Sequence, residues 1–304
     1  MVINYAESYQ QALANAFPKA LHFGALWRTE NASKYKKIDA KTVKIPLLDV
    51  TGRVDGDRSK ITGPSVRHSL DWESKNLEQH RTWDTLVHPV DVNQTNMVLT
   101  ISQITKTYNE QQKFKEMDCY TSSKLYSNFI KQGGVANTKA LTTENILAYI
   151  DEVMEAMDEA FVPASGRILY VTSHVNTLIK NAKNLSRVLG ATESVIKRTI
   201  ERVDELSIER VPSSLMKTLY DFTVGAEPAS NAAQIDMMFL HPDAVLPIQT
   251  YSTSMLTEPT ALSEGKWVYF EESFEDIFIL NKRKDALAFH VTENSDKTSG
   301  GSEE

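Results

Sequence analysis

Cys119 is the single cysteine among the 304 residues. One thiol excludes an internal disulfide framework and suits a reducing compartment. Long apolar runs are also missing: no stretch of about eighteen apolar residues occurs, so no membrane-spanning helix is expected. The opening residues, Met1-Val2-Ile3-Asn4-Tyr5-Ala6-Glu7, lack the basic and apolar blocks of a secretory signal. Positive charge is in deficit, with 33 Lys and Arg against 40 Asp and Glu and a net charge of −7. An acidic surface repels phosphate, which argues against a protein that grips nucleic acid. A wall that does not grip DNA still lets DNA slide past it, although an acidic cytosolic enzyme has the same charge balance.

The motifs of common chemistries are absent as well. There is no phosphate-cradling Gly-x-x-x-x-Gly-Lys-Ser/Thr, no Gly-x-Gly-x-x-Gly and no Gly-x-Ser-x-Gly elbow. The seven histidines, at 22, 68, 80, 88, 174, 241 and 290, form no zinc pair. His68 falls on the apolar side of a strand pattern and reads as a packing or interface residue. Cys119, beside Met117 and Tyr120, reads as a small buried apolar residue with no basic group to activate it. Asp55-Gly-Asp57 lacks the rest of a calcium loop and reads as a flexible tip. The best case for an enzyme is the group Glu271, Glu272, Glu275 and Asp276, which could hold a hard cation. Strand alternation divides it between two faces, so a solvated turn and strand edge is expected instead. Lys34, Lys36, Lys37, Lys41 and Lys44, with Tyr35 among them, suit an acidic neighbour or plain solvation better than nucleic acid. No catalytic residue, metal site or cofactor is therefore expected.

What is present is an ordinary globular composition, 41% hydrophobic and 24% charged, in a chain long enough for two lobes. Residues 1–40 read as an arm, with a short helix from Tyr5 to Ala16 carrying Tyr5 and Tyr9 on one face, ended by Pro18. Residues 41–92 read as a long hairpin. Val43, Ile45 and Leu47 alternate with polar neighbours; Val66, His68, Leu70 and Trp72 do so after a turn-rich tip; Trp83, Thr85 and Val87 form a return strand. A hairpin with one apolar face is marginal alone, so that face is expected to lie on this chain's own lobe or on a neighbouring copy, the neighbour being favoured because no helix follows immediately to cover it. The expected inter-subunit contacts are Val43, Ile45, Leu47, Val66, Leu70, Trp72 and Trp83, together with Tyr5 and Tyr9 of the arm. Residues 93–132 have helical spacing with a polar interruption at 109–113, as two helices or one interrupted spine, stopped by Gly133-Gly134. Residues 141–243 read as an α/β lobe: a helix through Ile146, Ile150, Val153 and Met157, a buried strand at 167–171, a helix capped by Thr172 or Ser173, and strands at 206–211 and 235–240. Four strands follow, at 245–251, 266–270, 274–280 and 286–291. The tail, 295–304, reads as disordered.

This order of elements resembles the major capsid proteins of tailed bacteriophages, in particular siphophages of Gram-positive bacteria. Local strings carry the likeness: Asp91-Val-Asn-Gln-Thr-Asn96, then Ile104 to Asp118 and Ser123-Lys-Leu-Tyr126, then Val162-Pro-Ala-Ser-Gly-Arg-Ile-Leu-Tyr-Val-Thr172. Val211-Pro-Ser-Ser-Leu-Met216, His241-Pro-Asp-Ala-Val-Leu-Pro247 and Leu287-Ala-Phe-His290 continue it. The resemblance implies an α+β, Hong Kong 97-like fold. It would comprise an N-terminal arm (1–40), an extended loop (41–92), a peripheral domain with a long spine helix (93–134 and 244–294) and an axial α/β domain (135–243). It implies hexamers and pentamers closing into an icosahedral shell, in the virion, around double-stranded DNA bound without sequence specificity. Assembly would take place in the host cytoplasm, with a portal and no membrane. About forty residues precede the hairpin, too few for a large scaffolding segment, so a separate scaffolding protein is expected. The alternatives are an encapsulin-type nanocompartment shell and a soluble α/β metal-dependent enzyme.

Overall fold

A helical spine organises the chain. The computed structural model describes residues 21–27, 35–39, 41–53, 66–90, 101–182, 202–203, 206–281 and 283–292. Within it, a short helix α1 (Gly24–Trp27) precedes α2 (Ile101–Tyr108) and α3 (Phe114–Lys131), which are joined without a break by a π turn at Asn109–Lys113. The polar interruption is thus a widened turn inside one helix, the form in which a helix takes up an extra residue. Phe114, Met117, Leu125 and Phe129 are buried along α3. Its end is sequence-determined. Gly133 takes a left-handed φ of 78°, and Gly134 N–H donates to Phe129 C=O at 2.9 Å, closing the helix in the 6→1 manner. A Cβ on Gly134 would lie 2.5 Å from the Phe129 ring.

Strands β1 (Lys36–Lys37), β2 (Thr42–Val50) and β3 (His68–Asn76) form one antiparallel sheet, while β4 (Gln79–Val87) leaves it and pairs elsewhere. Helix α4 (Ile146–Glu159), β5 (Ile168–Thr172), α5 (Ser173–Lys180), β6 (Arg202–Val203) and β7 (Leu206–Val211) make the α/β lobe. Thr172 caps α5 through its side chain, which accepts from Val175 N–H. The small pair β8 (Tyr220–Asp221) and β9 (Glu227–Pro228) is followed by β10 (Gln234–Leu240), β11 (Val245–Thr257), β12 (Trp267–Ile279) and β13 (Leu287–Thr292). A five-stranded sheet runs β13-β10-β5-β7-β6, with β5 and β7 parallel. A three-stranded sheet runs β11-β12-β4. Ile146, Ile150, Val153 and Met157 of α4 pack on Leu169, Val171 and Phe239 of the larger sheet. Its other side joins Cys119, Leu125 and Phe129 of the spine in the main core.

Four readings change here. The strands expected at 266–270 and 274–280 are one strand, β12, central in its sheet, so the acidic group lies mid-strand rather than in a turn. Glu271, Glu275 and Asp276 are buried, and the spine brings cations to two of them. Lys113 pairs with Glu271, and Lys124 reaches Glu78 at 2.6 Å and Asp276 at 3.4 Å. Strand β13, placed with the peripheral part by sequence, pairs with β10 at the edge of the five-stranded sheet. The arm reading of 1–40 overlooks Phe23 and Leu26, which are fully buried in the main core. Finally, Val43 and Ile45 are buried by the chain itself, as described below. The helix expected at Tyr5–Ala16 and the tail 295–304 lie outside the described residues.

Candidate assembly surface

The β2–β3 ribbon is built so that its two rows of side chains do different work. Residues opposite one another in an antiparallel pair share a face, and the register pairs Pro46 with Trp72, Leu48 with Leu70 and Val50 with His68. These residues form one row. Val43, Ile45 and Leu47 lie on the opposite face, across from Lys75, Glu73 and Asp71. Sequence alternation joined Val43, Ile45 and Leu47 to Leu70 and Trp72 as one apolar face. The register separates them.

The inner row is held by the chain itself. Val43 (0% exposed) and Ile45 (6%) pack with Leu77, Leu246, Ile248, Phe274 and Phe278, so neither offers area to a neighbour. Leu47 is half-buried. Polar ties hold the foot of the ribbon: Tyr35 Oη donates to Gln249 C=O at 3.2 Å, Lys37 Nζ to Thr250 C=O at 2.5 Å, and Asn281 Nδ2 to Glu73 Oε2 at 2.6 Å. Among the described residues, nothing covers the outer row. Leu48 is 67% exposed, Val50 69%, Leu70 57% and Trp72 41%, and Val66 stands 82% exposed beyond them. Sequence reading missed Leu48 and Val50. The Leu47-Leu48 doublet, which puts one leucine on each face of any strand, was the available signal. At the base of the same face Lys36 lies opposite Lys44, a like-charged pair that is unfavourable within one copy.

Trp83 belongs to the body. Its ring stacks on Tyr108 (3.9 Å between centroids, 6° between planes) and tilts against Tyr269, so β4 is riveted to the spine and to β12. Tyr5 and Tyr9 lie outside the described residues.

The interior polar groups are structural in their geometry. Asp118, midway along the spine, accepts from His22 N–H at 3.1 Å and Phe23 N–H at 3.2 Å. It thereby pins the Leu21–Trp27 segment, whose Trp27 indole also donates to Thr121 Oγ1 at 3.3 Å. Burial pushes the Asp118 carboxyl up to about 7. Glu275 is likewise pushed to about 7, by burial first, against the pull of Lys113. Burial raises the Cys119 thiol to about 11, far from a reactive thiolate at neutral pH. Asp276 accepts from Tyr120 Oη at 2.9 Å and from Glu78 N–H at 3.0 Å. Among the described residues no cluster of three or more metal-ligating side chains occurs, and no helix is long and apolar enough to cross a membrane.

No family model matches the chain, and no curated protein does. Solved structures share its fold. A chain from the capsid structure of the cyanophage P-SCSP1u has a TM-score of 0.63 at 12% identity, over 86% of this chain and 86% of that one. A chain from the asymmetric unit of the mature capsid of bacteriophage PhiM1 has 0.60 at 12% identity, over 84% and 82%. A chain of Mycobacterium phage Che8 has 0.54 at 13% identity, over 81% and 84%. Over more than four-fifths of its length, the chain has the mixed α and β fold of phage capsid chains.

Proposed function

We propose that this chain is the major capsid protein of a tailed phage, a shell subunit of the Hong Kong 97-like type with no catalytic role. One observation carries the reading: a chain with the fold of capsid chains holds out a ribbon whose inner row is fastened to its own body and whose outer apolar row is, among the described residues, covered by nothing. In this reading the ribbon is the extended loop and the spine with β11 and β12 is the peripheral domain. The five-stranded sheet with α4 and α5 is the axial domain, and the segment before residue 41 is the arm. Leu48, Val50, Val66, Leu70 and Trp72 are the inter-subunit contacts. Copies arranged as hexamers and pentamers would close a shell around double-stranded DNA in the virion, after assembly in the host cytoplasm with a separate scaffolding protein and a portal. Covering about 500 Å² of apolar surface per contact contributes on the order of 12 kcal/mol before ordering costs. Symmetry repeats that contribution at every copy.

Electron microscopy of the expressed full chain tests this. Wild type should give capsomers, hexagonal sheets or shells. Leu48→Asp with Leu70→Lys should abolish them while leaving the melting temperature of the unassembled chain within about 2 °C, because both residues are exposed and the new charges, opposite one another in the register, attract. A wild-type chain that stays monomeric at high concentration, or a double variant that assembles normally, would overturn the proposal.

A further inference from the structure

Helix α4 ends in a closure of the same type as the spine. Val162 N–H donates to Met157 C=O at 3.0 Å and Phe161 N–H to Asp158 C=O at 2.9 Å. The residue just past such a helix end takes the left-handed conformation and is ordinarily glycine or asparagine, since a bulky side chain there is strained. At the spine that residue is Gly133. Here it is Phe161, with φ at 57° and 94% of its surface exposed. Both properties are unfavourable within a single copy, and among the described residues no burial offsets them.

The surroundings are rigid. Arg167, 1% exposed, donates to Val162 C=O at 2.6 Å, to Pro163 C=O at 3.0 Å and to Asp158 at 2.5 Å. Phe161 stands on the rim of a cleft of about 340 Å³ floored by Val162, Pro163 and Ala244, with Asp243, Arg283 and Asp285 around it. A projecting aromatic ring and a cleft of mixed lining, with apolar side chains among polar and charged ones, thus lie side by side on one patch, and that lining carries both signs of charge.

We propose that this corner is a two-fold contact between copies of the chain, in which Phe161 of each copy enters the cleft of the other. A two-fold axis requires a self-complementary patch, which a knob beside a hole supplies. The same axis sets Arg283 of one copy against the carboxylates of the other, fixing the register of the contact. One phenylalanine buries about 150–250 Å², far short of the roughly 1,200 Å² of a stable complex. The contact therefore acts within an array already held by the ribbons. It rests on the shell reading for that array and adds a second interface to it.

The test uses the full chain: wild type, F161G, R283D and the swapped pair R283D/D285R. Melting of the unassembled chain is measured beside the concentration at which assembly begins, by sedimentation and electron microscopy. F161G should raise the melting temperature by about 1–3 °C, because strain is relieved. It should also raise the assembly concentration at least about tenfold, as loss of a packed interface aromatic does. R283D should impair assembly and the swapped pair should restore it. An F161G chain that assembles at the wild-type concentration, or that melts lower than wild type, removes this contact and leaves the shell reading standing. A wild-type chain that never assembles removes both.

Discussion

Asp118 and Glu275 are carboxyls whose surroundings, rather than any partner charge, decide when they ionise. Each is raised to about 7 from the ordinary carboxyl values of 3.8 and 4.5, with burial as the leading cause. Across that interval the folded chain holds a proton at each site that the unfolded chain has released. Their contribution to stability is therefore greatest at low pH, declines as pH rises, and levels off above about 7. The slope is at most about 1.4 kcal/mol per pH unit for each group. Glu116 and Asp276 are raised by burial too and add in the same sense. Glu78, lowered by Lys124, and His22, lowered by burial, act oppositely, Glu78 only below the usual carboxylate range and His22 as pH falls below the ordinary imidazole value, where it offsets part of the gain from the two carboxyls. Urea unfolding of the unassembled chain at pH 5.5 and 7.5 should find it more stable at 5.5. The D118N/E275Q variant, which has nothing to titrate at either site, should lose at least half of that difference. Stability that rose with pH over this window would show that the two carboxyls are ionised in the fold.

At the scale of elements, the ribbon depends on which leucine or isoleucine faces the body. Ile45→Ala should cost about 2–4 kcal/mol in chemical denaturation, since it empties part of a packed cluster. Leu48→Ala, three residues on, should fall within about 0.5 kcal/mol of wild type because its side chain meets solvent. That contrast also marks the limit of sequence reading. Periodicity along one segment finds strands and helices, and it found the spine, the polar interruption at 109–113, the Gly133-Gly134 stop, α4, the Thr172 cap and β7. It does not contain register, which is set by pairing between segments. Hence the two apolar rows of the ribbon were merged into one face, and β12 was cut in two at its glutamates. The buried charges there are met from far along the chain: Lys113 reaches Glu271 and Lys124 reaches Asp276 from a helix more than 140 positions away. The same holds for Phe23 and Leu26, whose burial depends on Asp118 capturing a backbone that composition alone marks as arm. Leu48 and Val50 were missed for the converse reason: their exposure depends on what no described segment of the chain does.

For the whole molecule, charge bears on whether a container or a reader of nucleic acid is the better account. With 33 cationic against 40 anionic side chains, affinity for a duplex has to come from a local basic surface outweighing the whole. Three basic residues at the foot of the ribbon, Lys36, Lys37 and Lys44, do not act together as such a surface. Lys37 is engaged by Thr250, and Lys36 faces Lys44 on the row that also carries the apolar contacts, where covering by another copy would remove both from a ligand. Proteins that neutralise several phosphates gain affinity steeply as salt is lowered, through counterion release, and retain non-specific dissociation constants of about 10⁻⁴ to 10⁻⁶ M at physiological salt. The unassembled chain, titrated into a labelled 30-base-pair duplex at about 0.15 M salt, should show no anisotropy change up to roughly 100 µM. Dilution to 0.05 M should not bring binding back with the slope of many released ions. Micromolar affinity with such a slope would locate a basic surface strong enough to grip DNA, and the shell would then have to be read as holding its contents rather than merely enclosing them.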